Sequence, residues 1–282
     1  MAKYNWYKEG QALLEEIKNT NPAPGMVALW YIGQMGVIVK GAGLTVCLDP
    51  MLSDLCEGGV SLRNYSWPFE PGELTGIDYV ICSHDHADHI NMETLLPLYQ
   101  ANPEAKFIVP APTASVLTQG GIAPEAVVGA KEKQTVTLVE GAAVTPVAAA
   151  HEQYLTDENG DQCCLSYVLD LGGIRLFHGG DTVVTEQLIS DVQEIGAIQV
   201  ACLPVNGVDT ERHRRDIIGN MDCRDAAFFA QQIGADMVIP MHYDMVLGNE
   251  ENPLIFGHYM QSLYSGRKFH IMQLGERLIY MK

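Results

Sequence analysis

The chain has 282 residues, 47% of them hydrophobic and 18% charged, with a formal net charge of −18. This balance supports a sizeable buried core and excludes an intrinsically disordered polymer. It also argues against nucleic acid as a partner, because an acidic surface repels phosphates and no basic stripe supplies the contacts that dominate such binding.

The first residues, Met1 to Glu9, lack the basic, apolar and small-residue succession of a signal peptide. No run approaches the ~20 apolar residues of a membrane helix. The expectation is a soluble, unexported, cytoplasmic chain with no membrane partner. Cys47, Cys56, Cys82, Cys163, Cys164, Cys202 and Cys223 are odd in number and mostly sit in apolar runs, which suits reduced thiols in a reducing compartment.

In chain order, an amphipathic helix is expected over 10–19, followed by strands over 26–32, 37–40 and 44–50. A Pro/Gly-rich loop over 61–72 leads to a strand over 77–82 and a helix over 92–100. A strand over 106–109 and a helix over 113–119 come next, then strands over 135–139, 143–149, 165–170 and 174–178. In the C-terminal part, helices over 184–195, 223–233 and 253–263 separate strands over 199–203, 237–241 and 270–274. Two runs of hairpin-like strands, each followed by helices, predict an α/β fold: a four-layer αββα sandwich with its sheets face to face. No internal repeat or linker divides the chain, so 1–282 reads as one domain.

Ser83-His84-Asp85-His86-Ala87-Asp88-His89 falls between a strand and a helix, a junction held rigidly at both ends. Crowding imidazoles and carboxylates into one loop is an electrostatic and desolvation liability unless a cation draws them together. The ligand types suit zinc, manganese or iron. In an extended loop His84 and His86 point to one side, and Asp88 and His89 can face a neighbouring position, so one segment has the means to serve two ions. Further candidates end apolar strands: His151 after Ala148-Ala149-Ala150, Asp181 after His178-Gly179-Gly180, and His242 after Val238-Ile239-Pro240-Met241.

This order of HxHxDH, a distant His, a strand-terminal Gly-Asp and a late His resembles the metallo-β-lactamase superfamily. The stretch Pro24 to Gly33, with Ile77 to Ile90, His178 to Asp181 and Val238 to Asp244, is similar to the L-ascorbate-6-phosphate lactonase (UlaG-like) branch. The resemblance implies that His84, His86 and His151 bind one metal, that Asp88, His89 and His242 bind a second, and that Asp181 bridges. It implies manganese or zinc, as one or two ions.

The expected chemistry is hydrolysis of a small, anionic, sugar-derived lactone such as L-ascorbate 6-phosphate, by attack of a hydroxide generated on the metal. Asp88 is the candidate acid for the leaving oxygen if it is not a ligand, and His178 is a weaker candidate that competes with a packed histidine. Asp49 is a candidate for orienting a ligand histidine, or for capping a turn. Arg63 and Tyr65, and Arg212 and Arg214, are candidate binders of the substrate anion, against the plainer reading of solvated loops. Two other functions remain open: a phosphodiesterase or nuclease using the same ligands, and a non-catalytic metal-binding scaffold. Assembly with further copies of the chain is also expected.

Overall fold

A computed structural model describes residues 4–282. Strand β1 (Met26–Gly33) turns into β2 (Gly36–Gly41), then β3 (Leu44–Leu48), and after a small ribbon of β4 (Cys56–Glu57) and β5 (Val60–Ser61) come β6 (Tyr79–Ile81), β7 (Lys106–Pro110) and β8 (Val127–Ala130). The second half holds β9 (Val136–Val139), β10 (Ala142–Ala148), β11 (Leu165–Leu171), β12 (Ile174–His178), β13 (Val200–Pro204), β14 (Met237–Met241), β15 (Lys268–Phe269) and β16 (Arg277–Met281). The helices are α1 (Gly10–Asn19), α2 (Met92–Ala101), α3 (Ala114–Gln119), α4 (Glu186–Ile195), α5 (Thr210–His213), α6 (Cys223–Gln232) and α7 (Pro253–Leu263).

Two seven-stranded sheets form, in the orders β16-β1-β2-β3-β6-β7-β8 and β15-β14-β13-β12-β11-β10-β9. The central strands read as continuous apolar runs because both of their faces are buried. Along β1, Leu29 and Tyr31 join a cluster between the sheets that includes Val144, Tyr167, Leu176 and Ile239. The alternate residues Ala28, Trp30 and Ile32 face outward onto Leu13 and Ile17 of α1 and Leu95 and Leu98 of α2. On the other sheet, Val168, Phe177 and Ala201 face α4, α6 and α7 through Leu188, Phe229 and Phe256. The result is the expected αββα layering.

Besides the short ribbon β4–β5 and the one-turn α5, which were not expected, three larger departures stand out. The strand predicted over 270–274 does not form; the pairing with β14 is made by Lys268 and Phe269 instead. The closing strand β16 was not foreseen, and it returns to pair antiparallel with β1, Val27 opposite Tyr280. Strand β8 was also missed, a short segment paired parallel to β7. Both lie at sheet edges, where one-sided burial weakens the apolar signal. Among the described residues no helix is long and apolar enough to cross a membrane.

Strand direction determines where the chemistry lies. Strand β1 runs antiparallel to β2 and β2 antiparallel to β3, and β3 is parallel to β6, so β1, β3 and β6 end on one edge. In the other sheet β10 and β12 both oppose β11, and β12, β13 and β14 are parallel, so their C-terminal ends also coincide.

Candidate metal centre

Every sequence-predicted ligand lies at one of these strand ends. The loop after β6 carries His84, His86, Asp88 and His89; His151 follows β10, Asp181 follows β12 and His242 follows β14. Three groups of ligand atoms come together: His84, His86 and His151; His84, His89 and Asp181; and Asp88, His89 and His242. Asp181 links them, with Oδ1 3.3 Å from His89 Nε2 and Oδ2 3.1 Å from His242 Nε2 and 3.8 Å from His151 Nε2. Asp88 Oδ2 lies 3.5 Å from His89 Nε2 and 3.6 Å from His242 Nε2. Atoms bound to a common ion at ~2.0–2.2 Å are separated by about these distances.

Glycine brings the loop and the Asp181 turn together. Gly180 has a φ of 56°, and a Cβ there would sit 2.5 Å from Ser83 Cβ, so only glycine allows this approach. Ser83 O in turn accepts from Leu165 N–H at 2.9 Å, tying the loop to β11. Non-glycine residues in the left-handed region include Gln34, Asp49, Glu152 and His242, each within or beside the centre. Such strain concentrates at functional sites.

Asp49 organises the histidines. Its carboxylate accepts from Ser83 N–H and Ser83 O–H, both at 2.7 Å, and lies 2.8 Å from His89 Nδ1. Because the serine hydrogen points to Asp49, Ser83 Oγ is left to accept from His84 Nδ1 at 3.0 Å. A carbonyl oxygen can only accept, so His151 Nδ1 donates to Gly219 O at 3.2 Å. Each assignment places the proton on Nδ1 and directs Nε2 inward, as a ligand histidine requires.

Burial and neighbouring charge together shift the ionisable groups of the cluster. Burial holds His84 well below the ordinary histidine range and also lowers His151, keeping both neutral. For Asp181, burial works against ionisation, but His242 and His89 outweigh it and hold the carboxyl well below its usual range. Asp88 is likewise lowered, burial being overcome by His89 and His242. These neighbours favour the anionic form of both carboxylates, which suits a ligand.

The fit to a cation is tested by polar atoms that lack partners. His84 Nε2, His89 Nε2 and Asp181 Oδ1 are buried with no hydrogen bond. Leaving such atoms unpaired costs about 1–3 kcal/mol each, so convergent orphans of both nitrogen and oxygen type match the donor set of a divalent metal.

The expected positions outside the cluster fare differently. His178 is turned away: its Nε2 donates to Met35 O at 2.8 Å, and Nδ1 lies 4.0 Å behind Asp49 Oδ2. It packs behind the ligand layer and is not presented to a substrate. Arg63 is drawn inward as well, donating through Nε to Tyr65 O at 3.0 Å and through Nη1 to Ser53 O at 2.9 Å and Met51 O at 3.2 Å. Tyr65 is buried, its hydroxyl donating to Asp244 Oδ1 at 2.8 Å. Arg212 is engaged with Asp209, with Asn249 Oδ1 at 3.0 Å and with Glu250 O at 3.1 Å. Internal acceptors thus take up three of the four candidate anion binders. Arg214 is exposed, and its side chain makes no hydrogen bond or ion pair among the described residues.

Gln34 and Asp244 are the residues that sequence reasoning missed. Gln34 Nε2 reaches Asp88 Oδ2 at 2.6 Å and His242 Nε2 at 2.8 Å. Asp244 accepts from Tyr31 O–H at 2.7 Å, Tyr65 O–H at 2.8 Å and Gln34 N–H at 3.2 Å. The only local hint was a polar Gln34 between Gly33 and Gly36, in a stretch otherwise apolar.

Comparison with known proteins agrees with this geometry. A family model described as the beta-lactamase superfamily domain matches residues 45–243. A metal-dependent hydrolase of Methanoculleus marisnigri is 31% identical over 209 residues, covering 71% of this chain and 74% of that protein. The protein named probable L-ascorbate-6-phosphate lactonase UlaG of Salmonella choleraesuis is 25% identical over 278 residues, covering 86% of this chain and 77% of its own. Igni18, a metallo hydrolase of Ignicoccus hospitalis, superposes with a TM-score of 0.69 at 21% identity, over 91% of this chain and 99% of that one. The chain belongs to the metallo-β-lactamase superfamily.

Proposed function

We propose that this chain is a metal-dependent hydrolase that opens a small anionic lactone, with L-ascorbate 6-phosphate as the model substrate. The convergence of His84 Nε2, His89 Nε2 and Asp181 Oδ1, all buried and unpartnered, carries the metal-dependent part of that reading. The lactone part is supported by the likeness to proteins named as lactonases.

In this reading His84, His86 and His151 hold a divalent ion, with Asp181 beside them, and Asp88, His89 and His242 form a second group. Manganese or zinc bound there supplies a nucleophile at neutral pH and polarises the carbonyl oxygen. The protein's own groups do the rest. Asp49 and Ser83 fix the tautomers of His89 and His84, so that lone pairs face inward before substrate arrives. Asp88, at 18% side-chain exposure against 5% for Asp181, is the carboxylate that incoming water meets. Kept anionic, its free oxygen takes the proton from the attacking water and returns it to the ring oxygen as that oxygen leaves. Among the candidate arginines, Arg214 is the one whose side chain is not engaged by internal acceptors, and in this reading it attracts the substrate's anionic group. The unpaired cysteines suit a reducing, cytoplasmic setting.

The test is turnover by manganese-loaded and zinc-loaded protein on a panel of free and phosphorylated lactones, with bis(p-nitrophenyl) phosphate in parallel. Lactone opening that a chelator abolishes and the metal restores is the expected result. Phosphodiester hydrolysis far above any lactone turnover would replace this reading with the phosphodiesterase one. Metal binding with no turnover on either class would favour the scaffold.

A further inference from the structure

Asn206, Asn220 and Asn249 form a buried relay of amides beside the ligand cluster, at 0%, 1% and 7% exposure. Strands β12, β13 and β14 run parallel, so Asn206, just past the end of β13, emerges between Asp181 after β12 and His242 after β14. Along β13, Val200 and Cys202 face the space between the sheets, while Ala201, Leu203 and Val205 face the helices. That alternation carries Asn206 onto the inner side, where the ligands gather. Asn220 is braced on both flanks of its backbone: Gly219 O accepts from His151 Nδ1 at 3.2 Å, and Met221 N–H donates to Thr182 O at 2.9 Å.

The direction of the relay is forced from one end. The Arg212 guanidinium only donates, so the Asn249 atom 3.0 Å from its Nε is the carbonyl oxygen. The same oxygen lies 3.2 Å from an amide atom of Asn206, which must therefore be its NH2 group. Asn206 Oδ1 in turn accepts from the NH2 group of Asn220 at 3.1 Å. Turning any one of these amides over would set like atoms against each other. What remains at the far end is Asn220 Oδ1, a buried acceptor with no donor among the described residues. A neutral carbonyl oxygen fixed in this way repels an anionic group and suits a hydroxyl hydrogen.

We infer that Asn220 Oδ1 receives a substrate hydroxyl close to the reacting carbonyl, so that the site favours hydroxylated lactones over bare or alkylated rings. The inference rests on the lactonase reading above and adds a specificity-determining residue to it. Asn206, Asn249 and Arg212 act as positioning residues that hold the Asn220 oxygen in its orientation.

The test compares γ-butyrolactone with its α-hydroxy and β-hydroxy derivatives and with their methyl ethers, which keep the oxygen but cannot donate. Metal-loaded wild type should favour one of the hydroxylactones over its ether by about 10- to 100-fold in kcat/KM, because the ether leaves the buried acceptor unpaired. In Asn220→Ala that ratio should fall to near 1. Asn249→Ala should lower it as well, since Asn206 and Asn220 are then free to turn over. Each ratio is taken within one protein, so a partly folded variant does not distort it, and the wild-type ratio carries the test if a variant fails to fold. Hydroxylactone and ether opened alike by wild type, or a preference that survives Asn220→Ala, overturns the inference and leaves the lactonase reading standing. Calorimetric titration with the five-membered lactam, with and without the α-hydroxyl or β-hydroxyl, separates the opposite case. Binding about 10-fold tighter with a hydroxyl, lost in Asn220→Ala, in a protein that opens no lactone would retain the hydroxyl site and sink the lactonase reading. Equal binding of the lactams in such a protein would remove both.

Discussion

Asp181 and Asp244 are both buried aspartates close to His242, yet they are treated in opposite ways. Asp244 has both oxygens paired, to Tyr31, Tyr65 and the Gln34 backbone. Asp181 keeps Oδ1 without a hydrogen bond and lies beside His89, whose inward Nε2 also makes none. A buried carboxylate that the fold satisfies is a structural element. One that the fold leaves unsatisfied is reserved for something the fold does not supply. Charge and burial alone do not separate the two; hydrogen-bond accounting does.

The contrast can be broken or sharpened by measurement. The largest effect is expected from metal removal. Chelation, or Asp181→Ala, should take hydrolysis below detection while circular dichroism still reports a folded protein. Readdition of metal to the chelated wild type at about 100 times its Kd should raise stability by about 2.7 kcal/mol, seen as a higher Tm. Unchanged turnover after Asp181→Ala would place the two aspartates in the same class.

Asp244→Ala should act on stability first. Two tyrosine hydroxyls and the Gln34 N–H lose their acceptor, at a cost of about 3 kcal/mol or more in urea denaturation. A loss under 1 kcal/mol would show that the Asp244 cage is not structural. Asp49→Asn lies between the extremes. It should weaken metal affinity about 10- to 100-fold, by disturbing the tautomers of His89 and His84, with a smaller change in unfolding midpoint. Gly180→Ala should cost about 1–3 kcal/mol, because the added methyl meets Ser83 in a left-handed backbone. Arg214→Ala should be smallest in stability, within about 0.5 kcal/mol, and should appear instead as a raised KM for anionic substrate. If KM does not move, the anion is received elsewhere.

Much of the fold was legible because β1, β2, β10 and β11 are buried on both faces and read as mainly apolar runs. Edge strands β8 and β16 gave no comparable signal, since half of each faces away from the core. Within the site, the loop from Ser83 to His89 was legible because its ligands are adjacent in sequence, and His151, Asp181 and His242 because each closes an apolar strand. Gln34 was not, since a glutamine in a turn carries no chemical signature until its neighbours in space are known. The internal engagement of Arg63 and Arg212 was hidden for the same reason: a guanidinium looks free in a sequence until the carbonyls that capture it, such as Ser53 O for Arg63, are in place.

The sequence by itself determined most of the element order, the layered architecture and the candidate metal-binding side chains, because these follow from periodicity and from local clustering of donor atoms. Only the tertiary structure decided which donors are unpaired. That depends on partners as distant along the chain as Gln34 and His242, or Tyr65 and Asp244, which meet because parallel strands deliver their ends to one edge of the sandwich.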